Sequence, residues 1–136
     1  IKKLPPYDVL ITAEAKGIPL VYEMARQLGD ERYLIARKAV KLYMKEPHTV
    51  EVRSITTAKK QTLFIDKSDA DYMRGKRVVI VDDVISTGES LFAVEKLVKE
   101  SGGTVAGRMA ILAEGDAKYR DDILYLEELP LFFPKA

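Results

Sequence analysis

Cysteine is absent from the 136 residues. That excludes a disulfide framework, a thiolate metal site and a cysteine nucleophile. Histidine occurs once, at His48 beside Pro47, where a solvated loop residue is expected. No apolar run approaches the roughly 18 residues that a spanning helix needs, and no signal peptide is visible, so the chain reads as cytoplasmic with no membrane partner. An excess of one charge is missing too: 22 Lys and Arg stand against 21 Asp and Glu, a net charge of +1. The basic residues are spread out, which leaves no footprint for a nucleic-acid partner. Neither GxxxxGK(S/T) nor GxGxxG occurs, so the two common glycine-rich phosphate loops are excluded.

What is present is an ordinary globular composition, 47% hydrophobic and 32% charged, in a chain of one-domain length that can bury a core without staples. Apolar strand-like runs alternate with helical patterns. Residues 8–12 follow Pro5-Pro6 and read as a strand, with a loop over 13–17. Residues 18–28 put Val21, Met24, Ala25 and Leu28 on one helical face, stopped by Gly29. A second strand is expected over 33–36, ending in Arg37-Lys38, and a β-hairpin or arm over 49–65 with its tip at 56–60. A helical turn follows over 69–75, then a fully buried strand over 78–81. Residues 89–100 align Leu91, Val94, Leu97 and Val98 in a helix that ends at Ser101-Gly102-Gly103. A strand over 104–113 and an edge strand over 123–126 complete the pattern. Strands without a polar face, alternating with helices, predict an α/β fold with a mostly parallel sheet covered on both sides. Ligands of such folds bind at the carboxyl ends of the strands, where the loops 13–17, 37–41 and 82–90 converge.

The last of these loops carries the clearest chemistry. The strand runs into Asp82-Asp83, and Ser86-Thr87-Gly88-Glu89-Ser90 stands where the next helix begins. Unpaired N–H groups and the helix dipole favour an anion there, glycine permits close approach, and the hydroxyls add donors. Two carboxylates would repel a phosphate but accept hydrogen bonds from a vicinal diol, or act as indirect Mg²⁺ ligands. A phosphate beside a diol describes a ribose 5-phosphate. The plain alternative is a helix cap beside solvated acids. A calcium loop over 66–77 is rejected, because Arg77 stands at the twelfth position where Glu is needed.

Val-Ile-Val-Asp-Asp-Val-Ile-Ser-Thr-Gly over 79–88 resembles the phosphoribosyl-pyrophosphate (PRPP) signature of type I phosphoribosyltransferases. Glu14-Ala15-Lys16-Gly17 resembles that family's pyrophosphate loop, in the Glu-Ala-Arg-Gly form of adenine enzymes. Arg37-Lys38 with Lys41-Leu42 is similar to the Arg-Lys-x-x-Lys-Leu segment of purine members. The resemblance covers residues 7–115 and implies the family's fold, with a flexible β-arm and a reduced hood. It implies one domain over 1–136, with the core over 7–115 and a C-terminal hood segment over 114–136. By this resemblance Asp82 and Asp83 hold the ribose hydroxyls and indirectly Mg²⁺, and Ser86, Thr87, Gly88, Glu89 and Ser90 cradle the 5-phosphate. Ala13, Glu14, Ala15, Lys16 and Gly17 bind pyrophosphate through backbone N–H groups, together with Arg37, Lys38 and Lys41. Lys59 and Lys60, on an arm over 52–62, close over the leaving group.

The activity implied is transfer of the phosphoribosyl group of PRPP to a purine base, in purine salvage, by a homodimer. Ser86 stands where hypoxanthine–guanine enzymes carry Asp, which favours adenine. The arm lacks the Tyr-x-x-Glu-Tyr-Gly look of adenine enzymes and resembles instead that of PRPP-sensing purine regulators and xanthine-type enzymes. The alternatives are therefore a non-catalytic PRPP-binding regulator, or a transferase for xanthine or another base. Seven residues precede Asp8, so the family's N-terminal hood is nearly absent, and the opening Ile1 leaves room for a start upstream. Either that hood was lost from this chain, or residues 114–133, with Leu131, Phe132 and Phe133 as stacking, dimer or core-edge residues, supply the base contacts.

Overall fold

The computed structural model describes residues 5–14, 16–38, 47–53, 60–85, 89–114 and 124–129. Five strands form one parallel sheet: β1 (Val9–Ala13), β2 (Leu34–Ala36), β5 (Arg77–Ile85), β6 (Thr104–Glu114) and β7 (Leu124–Leu129), in the order β2-β1-β5-β6-β7. β3 (Pro47–Arg53) and β4 (Lys60–Asp66) pair antiparallel as a separate ribbon. The helices are α1 (Ile18–Leu28), α2 (Lys67–Met73) and α3 (Glu89–Glu100).

Both faces of the sheet are buried, as its near-continuous apolar strands require. Side chains alternate along a strand, so each strand feeds two cores. Val9 and Ile11 of β1 join Val78 and Ile80 of β5 in a core with Leu91, Val94, Leu97 and Val98 of α3. Leu63 and Ile65 of β4 and Met73 of α2 complete that layer. On the opposite face Leu10, Val79 and Val81 pack with Val21 and Met24 of α1. The expected apolar rows of both long helices are thus the rows that face the sheet, although Leu28 is only partly buried.

Several boundaries differ from the sequence reading. β5 does not stop at Val81 but continues through both acids to Ile85, because β6 pairs with it that far: Asp82 lies opposite Ala110 and Ile85 opposite Ala113. α2 begins two residues earlier than expected, where the Asp66 carboxylate caps it by accepting the Lys67 N–H at 3.1 Å. The arm ribbon starts at Pro47, so His48 is a strand residue opposite Ile65 rather than a loop residue. Lys60, expected at the arm's tip, is the first residue of β4 and pairs with Arg53. The rest of the expected tip, 56–59, lies outside the described residues. The last strand is the sheet's edge, as expected, but runs three residues further, to Leu129. No helix among the described residues is long and apolar enough to cross a membrane.

One close approach ties α1 to the sheet. Gly17 precedes the helix with ordinary dihedrals, φ −78° and ψ −10°, so it is not needed for backbone freedom. It is needed for space: a Cβ there would lie 2.2 Å from Oγ1 of Thr12, which is fully buried in β1. Gly17→Ala should therefore cost about 1–3 kcal/mol through overpacking. Chemical denaturation tests this, and Thr12→Ala in the same chain should recover part of the loss. Equal stability of Gly17→Ala and wild type would show that Thr12 turns away at no cost.

Candidate active site

The chain leaves β1 toward β2 on one side of the sheet, then returns to place β5, β6 and β7 on the other. β1 and β5 are therefore the strands between which the order reverses, and sheets of this kind form their ligand crevice at the carboxyl ends of such strands. The loop after β1 rests on β5: the carbonyl of Val81 lies 3.5 Å from the position a Gly17 Cβ would take. Asp82 and Asp83 follow that carbonyl.

Both acids are half-buried. Oδ1 of Asp82 accepts the Asp83 N–H at 2.8 Å. The Asp82 carboxyl is pushed up to about 7, first by burial and then by hydrogen bonding to, and the charge of, the Asp83 carboxyl. The Asp83 N–H and the Lys38 ammonium pull the other way without prevailing. Lys38 thus acts on the acid pair from the end of β2.

The other two loops meet through Glu14. Its N–H donates to the Ala36 carbonyl at 2.9 Å, one carboxylate oxygen accepts the Lys38 N–H at 2.6 Å, and the other lies 3.5 Å from Nη1 of Arg37. Burial favours this contact, since the Glu14 and Arg37 side chains are only 16% and 23% exposed. Arg37 is fixed from a third direction. Its N–H donates to the Phe64 carbonyl at 2.8 Å, and the Phe64 N–H donates back at 2.7 Å, an isolated bridge to the arm strand β4.

Of the residues singled out from sequence, Ala13, Glu14, Gly17, Arg37, Lys38, Asp82 and Asp83 converge on this crevice. Lys16 lies in the same loop, exposed. One expectation is corrected: the Glu14 N–H is committed to the sheet rather than offered to a ligand. Glu89 and Ser90 open α3. Ala15, Lys41, Lys59, Ser86, Thr87 and Gly88 lie outside the described residues, as do Leu131, Phe132 and Phe133. Two contributors were missed, Thr12 under Gly17 and Phe64 bridging Arg37. A lone Thr in an apolar strand, five residues before a Gly, was a readable signal for the first. Nothing local marks the second, which is a main-chain contact.

The donor set fits a Mg²⁺ ion. A half-buried pair of like-charged carboxylates, one of them driven toward its neutral form, is relieved by a divalent cation. No group of three His, Cys, Asp or Glu converges among the described residues. Two carboxylates leave the remaining positions of such an ion to water and other oxygen ligands.

The raised carboxyl carries a pH signature. Asp82 holds its proton more tightly in the folded chain than in the unfolded one. Its contribution is fully present below the ordinary value of 3.8 and is lost as pH rises through about 7. Asp82→Asn should therefore be nearly neutral at pH 4 and stabilising at pH 8. The full shift corresponds to about 4 kcal/mol, and partial exposure reduces the expected gain to about 2 kcal/mol. Urea denaturation without substrate or divalent cation checks this, and a difference that does not change with pH would contradict it.

Comparison with known proteins agrees with the fold. Residues 6–129 match the family described as phosphoribosyl transferase domain. The hypoxanthine/guanine phosphoribosyltransferase of Methanocaldococcus sp. (strain FS406-22) is 34% identical over 111 residues, covering 82% of this chain and 53% of that protein. That of Methanococcus voltae is 34% identical over 111 residues, covering 82% and 55%. The chain thus spans about half the length of the curated relatives it matches. Among solved structures, the adenine phosphoribosyltransferase of Thermoanaerobacter pseudethanolicus superposes with a TM-score of 0.75 at 29% identity, over 91% of this chain and 72% of that one. The parallel sheet flanked by helices is the fold of that neighbour, and the chain belongs to the phosphoribosyl transferase domain family.

Proposed function

We propose that the chain transfers the 5-phosphoribosyl group of PRPP to a purine base, releasing a nucleoside monophosphate and pyrophosphate. The observation that carries this reading is the half-buried Asp82–Asp83 pair at the β1–β5 switch point, beside the Glu14–Arg37–Lys38 contacts. Asp82 and Asp83 accept the ribose hydroxyls. Ser86, Thr87, Gly88, Glu89 and Ser90 donate to the 5-phosphate. Lys16, Arg37, Lys38 and Lys41, with the loop 13–17 apart from Glu14, face pyrophosphate, and Lys59 and Lys60 approach from the arm.

In the reaction the bond from ribose C1 to the pyrophosphate oxygen breaks, and a purine ring nitrogen forms the new bond to C1. Positive charge grows on the ribose ring, where the carboxylates of Asp82 and Asp83 tolerate it, and negative charge grows on the leaving group, where Lys16, Arg37 and Lys38 stabilise it. A Mg²⁺ ion held by Asp82 and Asp83 through substrate oxygens and water would supply further charge neutralisation. No covalent intermediate with the protein is needed. The working unit is a single domain that pairs as a homodimer.

We read the base as adenine, from Ser86 and the Glu-Ala-Lys-Gly loop. A second reading, hypoxanthine or guanine, is favoured by the names of the methanogen relatives at 34% identity. Pyrophosphate release from PRPP and Mg²⁺ should be assayed with adenine, hypoxanthine, guanine, xanthine and orotate. Release with adenine supports the first reading, and release with hypoxanthine or guanine alone replaces it with the second. PRPP binding without turnover on any base turns the assignment to a PRPP-binding regulator. The double variant Asp82→Asn, Asp83→Asn should lose PRPP binding in calorimetry while remaining folded. Unchanged affinity in that variant would remove the ribose-diol assignment.

A further inference from the structure

Glu14 is an anomaly in a loop assigned to an anion. A carboxylate repels pyrophosphate, so its side chain cannot be one of that ligand's direct partners. Its N–H is equally unavailable, because it donates to Ala36. Yet the side chain is largely buried, and its two carboxylate oxygens reach two consecutive residues of another loop, the Lys38 N–H and the Arg37 guanidinium.

We propose that Glu14 is a positioning residue for pyrophosphate recognition, which clasps the turn after β2 so that Arg37 and Lys38 present their charges to the leaving group. This rests on the reading of the site as one for PRPP. Three contacts from one residue fix the end of β2 to the end of β1: the N–H to Ala36, and the carboxylate to Lys38 and to Arg37. The 2.6 Å bond from the Lys38 N–H is charge-assisted and sets the turn. The 3.5 Å approach to Nη1 of Arg37 is looser. A guanidinium carries five donors in a planar fork, so a carboxylate on one edge orients the group while another edge serves an anion. The Phe64 bridge holds the Arg37 main chain, and Glu14 restrains the side chain that projects from it. A preset cation loses less freedom when the ligand arrives than one that must first be ordered.

The assignment separates the two functions of the carboxylate. Glu14→Gln keeps an acceptor for the Lys38 N–H, and with it the turn, but removes the charge that orients Arg37. Calorimetry with PRPP and Mg²⁺ should give about a tenfold weaker Kd for Glu14→Gln, with an unchanged thermal midpoint. In an Arg37→Ala background the same substitution should change Kd by less than about twofold, because the two residues act as one unit. Glu14→Gln that is folded and binds PRPP as the wild type does would overturn the proposal. So would a full tenfold effect that persists without Arg37. Failure of the wild-type chain itself to bind PRPP would instead overturn the PRPP reading, and this proposal with it.

Discussion

β1 and β5 are distant in the chain, yet they lie side by side as the central parallel pair, with Val9 opposite Val78 and Ile11 opposite Ile80. Everything at the crevice hangs on that pairing. It brings the loop after β1 against the end of β5, and it sets the Asp82–Asp83 pair beside Gly17. The pairing is itself held by two cores, since Ile11 and Ile80 point to one and Leu10 and Val79 to the other. A parallel pair cannot be closed by a short turn, so its register depends on this two-sided burial.

The same burial makes the site costly to maintain. A strand sealed on both faces is a poor place to carry two adjacent carboxylates, and the raised Asp82 carboxyl reflects that cost. The molecule offsets it only in part, through the Asp83 N–H and the charge of Lys38. Around this unfavourable pair the neighbouring loops are firmly tied. Glu14 joins the ends of β1 and β2, and Arg37 joins the end of β2 to the arm ribbon. A rigid frame around a destabilised polar centre is the arrangement expected where a ligand, rather than the protein, completes the interactions.

Most of the architecture was legible because periodicity and burial agree. The row Leu91, Val94, Leu97 and Val98 lies in a core, and the apolar run of β5 does pass through the centre of the sheet. The acid pair and the loop before Gly17 were legible for a different reason: their residue types make little sense except at a polar opening in an apolar sheet. What sequence did not show was how far main-chain pairing extends. Asp82 and Asp83 look like the start of a loop, yet β6 keeps them in the ladder, and His48 beside a proline looks like a loop residue, yet β4 pairs with it. Local composition carries no record of a partner strand that arrives from elsewhere in the chain. The double use of Glu14 was hidden likewise, because a carboxylate in such a loop does not say whether it faces a ligand or a neighbouring turn.

The arm ribbon is attached to the site through backbone atoms, by the reciprocal bonds between Arg37 and Phe64. Such bonds are indifferent to side-chain identity, so proline is the one residue type at either position that would lack the donor. The anchor therefore places almost no demand on the sequence of the arm. Substitutions can accumulate along β3 and β4, altering what the arm presents, without detaching it from the crevice. That is a simple route by which one end of a segment can diverge while the other stays in register.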